Sequence, residues 1–423
     1  MGSRLPATIR DAGMWLRRFA ATTPGVIGAV LVVTTVACLI AGSTVGQQLD
    51  AKIGRTEQVL DRTEPLAFAA QSLYVSLSAA DAGAATAFLS GGVESPQVRD
   101  TYEQSLAEAA AALAEATAGA TDAQTRAIVA RIAADLPTYT GLVETARANN
   151  RQGFPVGSAY LRQASDLMQT SLLPNAEQLN KARFAAVRED QHRIGAPPWT
   201  SIVLLLLVLA ACGAGSVLLL RRTNRWVNPG VALAAAAALL ALVWSTGATV
   251  TAAQLLDTGD TGAGARVENL ASARILAQQA RTDETLALIT RGDITAPENA
   301  FHTHTRDLEQ RLTAAGAGDS EAGRALTNWN AGHNAQRTAY EKADYAGAVT
   351  QAIGTGPDSS ATSFARLDRE LRDALAQART DLRDGVDAAG TTFTLSPFGT
   401  LILLLAAAGA VVTGLWPRLK EFL

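Results

Sequence analysis

The chain has 423 residues, 48% hydrophobic, 5% aromatic and 18% charged, with a formal net charge of -3. Alanine dominates, and aromatic and β-branched residues are scarce outside the apolar runs, which disfavours a sheet protein. Its two cysteines, Cys38 and Cys212, both fall inside apolar runs, so the segments between the runs must be stable without disulfides.

Residues 1–23 form a basic tail with Arg4, Arg10, Arg17 and Arg18 against Asp11. An uncharged stretch, 19–49, follows. It holds a run of about 20 residues, enough to cross a bilayer core of roughly 30 Å as a helix, and we place the span at 24–46. The run is longer than the apolar region of a signal peptide and no small-x-small site closes it, so it is read as a retained anchor.

Residues 47–196 read as a four-helix bundle. Helix one runs to Gly91-Gly92 with Leu60, Leu73, Leu77, Phe88 and Leu89 among many alanines. Ser95-Pro96 restarts the chain, serine as N-cap and proline in the first turn, and helix two stops at Gly119. Thr121-Asp122-Ala-Gln124 is a capping box opening helix three, which runs to about Asn150 with a bend at Pro137. Gly153-Phe-Pro155 breaks the chain, and helix four, from about Val156 to Arg193 with a kink at Pro174, leads into a second span at 198–220.

A short link, 221–228, carries Arg221, Arg222 and Arg225. The third span is 229–250. Residues 251–395 repeat the bundle, after an opening run, Asp257-Thr-Gly259-Asp260-Thr-Gly262-Ala-Gly264, that is too glycine-rich for a continuous helix. Helix one of this copy holds Ile275, Leu276, Leu286 and Ile289 and ends at Arg291-Gly292; Thr295-Ala-Pro297-Glu298 reads as a second capping box. Helix two ends near Gly316, Asp319-Ser320 opens helix three, and a break at Gly347 to Pro357 precedes helix four from Ser360. The fourth span is 397–416, and 417–423 is a tail with Arg418 and Lys420 against Glu421.

The basic residues sit in the tails and the link, while the long segments 50–193 and 257–387 net -4 and -6. Short basic segments stay in the cytoplasm, which puts both termini and the link inside and both bundles outside. Five of six tryptophans, Trp15, Trp199, Trp226, Trp244 and Trp416, lie at or near span ends, where the indole suits the interface. Pro24-Gly25-Val26 and Pro229-Gly230-Val231 open the first and third spans alike, Pro96 pairs with Pro297, and Leu136-x-x-Tyr139 pairs with Leu326-x-x-Trp329. The fold class is therefore all-α, an integral membrane protein of four spans and two tandem extracytoplasmic four-helix bundles related by internal duplication. Each unit is span, bundle, span, a parallel repeat. Alanine-rich helices bury little area per residue, so the bundles are expected to be long, slender and of modest stability.

No catalytic centre emerges. Leu255-Leu256-Asp257-Thr258-Gly259 has the aspartic-protease pattern, but that chemistry needs two facing aspartates on a β framework, and here the motif joins two helices. His302 and His304 point to different faces of a helix, which with the isolated His192 and His333 argues against a metal site. No phosphate loop, dinucleotide fingerprint or activated nucleophile is present, so neither cofactor nor enzyme activity is expected. Arg147, Asn149, Asn150, Arg151 and Arg162 cluster near the helix three–four turn, where they could receive a carboxylate or an acidic partner, or simply solvate helix ends. The interleaved charges of Arg366-Leu-Asp368-Arg369-Glu370-Leu-Arg372-Asp373 read as an ion-paired outer face. The spans contain no Asp, Glu, Lys, Arg or His, which disfavours ion-coupled transport. The small link leaves no surface for an ATPase.

Two-span units around extracytoplasmic helical bundles look like the sensory half of bacterial chemoreceptors. The doubled unit, the alanine content and the stretch Leu136-Pro-Thr-Tyr139-Thr-Gly-Leu-Val-Glu-Thr-Ala-Arg147-Ala-Asn-Asn-Arg151, with Gly157-Ser-Ala-Tyr160-Leu-Arg162-Gln-Ala-Ser165, resemble the actinobacterial GlnX family more closely. The resemblance implies a relay in which an extracytoplasmic solute-binding lipoprotein, GlnH, senses amino acids such as aspartate and glutamate, and the state passes inward to the protein kinase PknG. It carries over no binding residues. The partners expected are thus a GlnH-like lipoprotein, PknG or an intermediary, and the lipid bilayer, with no nucleic acid; homo-oligomerisation stays open. Two other readings stand beside the relay: a direct small-molecule sensor and a structural envelope scaffold.

Overall fold

A computed structural model describes residues 23–90, 96–223, 228–257, 259, 261–290 and 294–420. The basic tail 1–22, Gly91-Gly92, Ser95, Arg225-Trp226, Thr258, Asp260, Arg291-Gly292 and Glu421 lie outside the described residues. Among those described there is no strand, and four helices are long and apolar enough to cross a membrane.

In chain order the helices are α1 (Thr23–Gln58), α2 (Glu64–Leu89), α3 (Pro96–Ala118), α4 (Ala123–Arg151), α5 (Gly157–Leu167), α6 (Leu173–Gly195), α7 (Trp199–Thr223), α8 (Pro229–Leu256), α9 (Ala263–Thr290), α10 (Thr295–Ala314), α11 (Glu321–Glu341), α12 (Tyr345–Ile353), α13 (Ser360–Phe393) and α14 (Ser396–Lys420). Two one-turn π segments, Val59–Thr63 and Met168–Leu172, join α1 to α2 and α5 to α6. Each lies just before a proline, Pro65 or Pro174, whose missing N–H and ring displace the regular hydrogen bond; the turn absorbs the kink expected at Pro174.

Several boundaries are set by residues other than those the sequence favours. Asp122, not Thr121, caps α4, its carboxylate accepting from Thr125 N at 2.8 Å. The second capping box does not form: α10 starts after Ile294 with no side-chain cap, and Glu298 turns to His333 instead. An i, i+3 spacing cannot distinguish a cap from a tertiary partner. Ser320 caps α11 as expected, accepting from Ala322 N. The break after α11 comes before Gly347, at Lys342–Asp344, where Ala343 has φ +61° and Asp344 caps α12.

The chain divides into two compact units. One comprises the residues up to Glu57, His192–Leu255 and those from Asp387 on. Its helices bury residues at alternating steps of three and four: Ile27, Val30, Thr34, Cys38, Ala41 and Val45 on α1, and Leu205, Val208 and Cys212 on α7. The opposite faces expose Val32, Val33, Ile40, Leu206 and Leu207, as lipid-facing surfaces do. Small residues bring the helices together. A Cβ on Gly230 would overlap the carbonyl of Ala410, and one on Gly42 would stand 3.2 Å from Leu404 Cβ. Buried Lys52 donates to the carbonyls of Ile194 and Ala196, each at 2.7 Å, capping the end of α6.

The second unit is Gln58–Gln191 with Leu256–Val386. Both long segments belong to it and form a single compact body, the first supplying a quartet (α2, α3, α4 and α5 running through its π turn into α6) and the second a quartet of long helices (α9, α10, α11 and α13) with the short α12 added. Alanines of α3 and residues of α4 to α6 close a core around Leu73, Leu77, Ile132, Tyr139, Met168 and Leu172. The second segment buries Phe301, Leu308, Trp329, Leu367 and Leu371, with Phe301 and Trp329 edge to face at 5.3 Å. Where α1 runs through its π turn into α2 without a break, α8 stops at Leu256. Asp257 then has φ +35°, and a Cβ on Gly262 would overlap the Asp257 carbonyl. The expected glycine joint is present.

Candidate functional site

The first helix of each quartet meets the other. After Glu64, α2 carries one charge, Asp81, and is buried on nearly every side, as a helix apolar all round must be. It packs on α9, and Tyr74 accepts a hydrogen bond from Gln279 Nε2 at 2.7 Å across the seam. Ion pairs flank this contact reciprocally. Glu64 of α2 binds Arg379 and Arg383 of α13, the latter at 2.8 Å, while Glu268 of α9 binds Arg188 of α6 at 2.9 Å. The first helix of each long segment thus reaches the fourth long helix of the other.

Each quartet also buries, on its first helix, a carboxylate met by an aromatic donor from the third helix and a serine from the fourth. In the first copy Tyr139 O–H donates to Asp81 at 3.3 Å and Ser165 Oγ at 3.0 Å. In the second, Trp329 Nε1 donates to Glu284 at 3.3 Å and Ser360 Oγ donates as well. The electrostatics are opposite. Burial pushes the Asp81 carboxyl up to about 6, against its hydrogen bonds from Ser165, Gln169 and Tyr139. Burial acts on Glu284 too, but the Arg281 guanidinium and then His333 overcome it and hold the carboxyl down at about 2. His333 pays the same burial penalty, yet its bonds to Glu284 (3.1 Å) and Glu298 (3.3 Å) raise it to about 9. It is therefore an imidazolium donating from both nitrogens, stacked on Phe301 at 3.6 Å.

A groove runs along the seam between α3 and α13. Its floor includes Val75, Ser76 and Arg274, and its walls carry Glu108 on one side and Arg372 on the other. Asp368 lies in it, accepting from Arg274 Nε at 2.9 Å, Gln278 at 3.1 Å and Arg372 at 2.9 Å. The run Arg366–Asp373, read from sequence as an outer face, therefore has one side turned into the groove.

The arginine–asparagine cluster is not assembled into a receiving site. Arg147 pairs with Glu144 at 2.7 Å and lies over the Tyr102 ring; Asn149 and Asn150 donate to the carbonyls of Thr145 and Phe88; Arg162 donates to Ser158 O. Arg151 is exposed. His304 goes to Asp283 at 2.8 Å, His302 lies toward Glu298 at 3.8 Å on the carboxylate that also meets His333, and His192 is exposed. No metal-holding group of His, Cys, Asp and Glu occurs among the described residues. The buried carboxylates and the seam escaped sequence reasoning, although one signal was available: the near absence of charge along α2.

The chain matches no curated protein and no solved structure. A family described as an actinobacterial sensor domain matches residues 55–192, the segment that makes up the first quartet.

Proposed function

We propose that this protein is a non-enzymatic transmembrane signal relay that passes the availability of amino acids of the aspartate and glutamate type, sensed outside the cell by a GlnH-like solute-binding lipoprotein, to a cytoplasmic Ser/Thr protein kinase of the PknG kind. The observation that carries this reading is the sensor-domain match on 55–192, bounded by the first two apolar spans. The basic tails and link support termini on the inside and quartets outside. The lipoprotein docks on the quartets and biases their packing, and it can shift that balance only by its differential affinity for the two packings.

Affinity purification from intact membranes, with and without aspartate or glutamate, tests the relay. A solute-binding lipoprotein should co-purify, in a complex stabilised by amino acid. Absence of any such complex under both conditions overturns the relay. A direct small-molecule sensor is the second reading, favoured by the arginine-lined groove within the seam. An envelope scaffold would leave the nutrient response unchanged on deletion.

A further inference from the structure

The groove between α3 and α13 carries a charge that its surroundings do not. Segments 50–193 and 257–387 net -4 and -6. The groove is nevertheless lined by six arginines, Arg274, Arg281, Arg369, Arg372, Arg379 and Arg383, against Asp368, Glu108 and Glu115, with Glu284 paired to Arg281 and Glu64 to Arg379 and Arg383 from beside it, a small positive excess. This excess is not a general property of the repeated unit. Ser165 and Ser360 hold equivalent carboxylates, and Arg188 and Arg383 make equivalent seam ion pairs, which sets the correspondence between the two fourth helices. At that correspondence α6 has Pro174, Glu177 and Phe184 where α13 has Arg369, Arg372 and Arg379. By the pairing of Asp81 with Glu284, α2 has Gln71 and Ser78 where α9 has Arg274 and Arg281. The frame is shared, but the guanidinium groups stand on one side of it only.

Asp368 orients Arg274 and Arg372 without using up their donors, whereas Arg281, buried, is committed to Glu284 and to the Ala352 carbonyl. Each guanidinium has five N–H groups, and a carboxylate engages at most two of them. Arg372 keeps 61% of its side chain exposed, and Arg369 beside it is exposed as well. Across the groove Thr101, Gln104 and Ser105 add hydroxyl and amide groups. Arg274 stands on the floor, on α9, and Arg369 and Arg372 on the rim, on α13. One carboxylate serves one such fork, whereas the two ends of a short diacid serve floor and rim together.

We propose that this groove binds a small organic anion carrying two carboxylates, held from the floor by Arg274 and from the rim by Arg369 and Arg372. The inference deepens the sensor reading and rests on it only for its purpose, since the binding is measurable on its own.

The test uses the full chain in detergent micelles at matched ionic strength, with succinate, L-glutamate and acetate as probes, read by calorimetry and by thermal shift. Succinate or L-glutamate should bind and raise the unfolding temperature, and acetate should not. Binding of both diacids assigns recognition to the carboxylates; binding of L-glutamate alone adds a contact between its ammonium and Glu108. The exposed pair Arg369→Ala/Arg372→Ala should weaken binding by about tenfold or more, whereas Glu177→Ala on the counterpart helix α6 should leave it unchanged. No heat and no shift with either diacid at millimolar concentration overturns the proposal, as does equal affinity in the double variant. Failure here leaves the lipoprotein complex untouched, and failure of that complex leaves the groove's affinity untouched.

Discussion

Asp81 offers the sharpest test of the buried network. Its carboxyl is 3% exposed and accepts from Tyr139 and Ser165, yet burial lifts it from 3.8 to about 6. Between those values the folded protein holds a proton that the unfolded chain has released, so stability falls as pH rises. The penalty is absent below about pH 4 and complete above about pH 6. At 1.36 kcal/mol per pKa unit it is on the order of 3 kcal/mol at neutral pH. Asp81→Asn keeps the shape and removes the charge. Its amide oxygen accepts from Tyr139, and its NH2 donates to Ser165 Oγ, which accepts as readily as it donates. The variant should therefore be more stable than the parent at pH 8, by about 6 °C in unfolding temperature, and the advantage should shrink to nothing near pH 4. Loss of helical circular dichroism on heating the purified full chain, over a series of buffers, measures it. An unfolding temperature equal to or below the parent's at pH 8 refutes the reasoning, and so does a difference that does not change with pH.

The equivalent change in the second copy, Glu284→Gln, should act in the opposite direction. It leaves Arg281 and His333 buried without their carboxylate and should destabilise by about 3–5 kcal/mol, read in the same melts. His333 adds an alkaline limb. Its folded value of about 9 lies above the ordinary 6.5, so its contribution is fully present below 6.5 and is lost as pH rises through about 9. In the Asp81→Asn background that alkaline fall should persist, and a flat profile would exclude His333 as its source. Among the spans, Gly230→Val should disrupt packing, because its Cβ would overlap the Ala410 carbonyl, while Gly28→Ala should be neutral, with nothing within 4 Å of the added atom. Yield of monodisperse protein after extraction separates the two.

The long apolar helices and the joint after α8 were legible because each is written in contiguous sequence: uncharged runs, and glycines at Gly259, Gly262 and Gly264. The carboxylate sites were not, because Asp81, Tyr139 and Ser165 come from three different helices and each looks unremarkable on its own. The seam was half legible. Along α2 the charge pattern says that every face is covered. Along α9 it does not, since Arg274, Arg281 and Glu284 are as polar as a solvated face and only tertiary pairing buries them. Bundle periodicity could place these residues on a helix, but not decide which of them would find partners.

The two long segments hold their buried carboxylates in a like frame, and the divergence within that frame is where function has room to act. Two identical halves joined by reciprocal contacts would answer any perturbation equally, and their responses would cancel across the seam. These halves differ at each point that senses charge. One buries a carboxyl that titrates near 6 beside a tyrosine, and the other an ionised carboxylate beside arginine and imidazolium. One fourth helix presents arginines to its groove, and the other proline, glutamate and phenylalanine. The chain into the first copy is helical through Lys52 and the π turn, while the chain into the second breaks at Asp257. A charged ligand or a docked partner therefore acts on one quartet more than on its twin. Because Glu64, Arg188, Glu268 and Arg383 tie each quartet to the other's fourth helix, a displacement of one must be taken up by rearrangement at the seam.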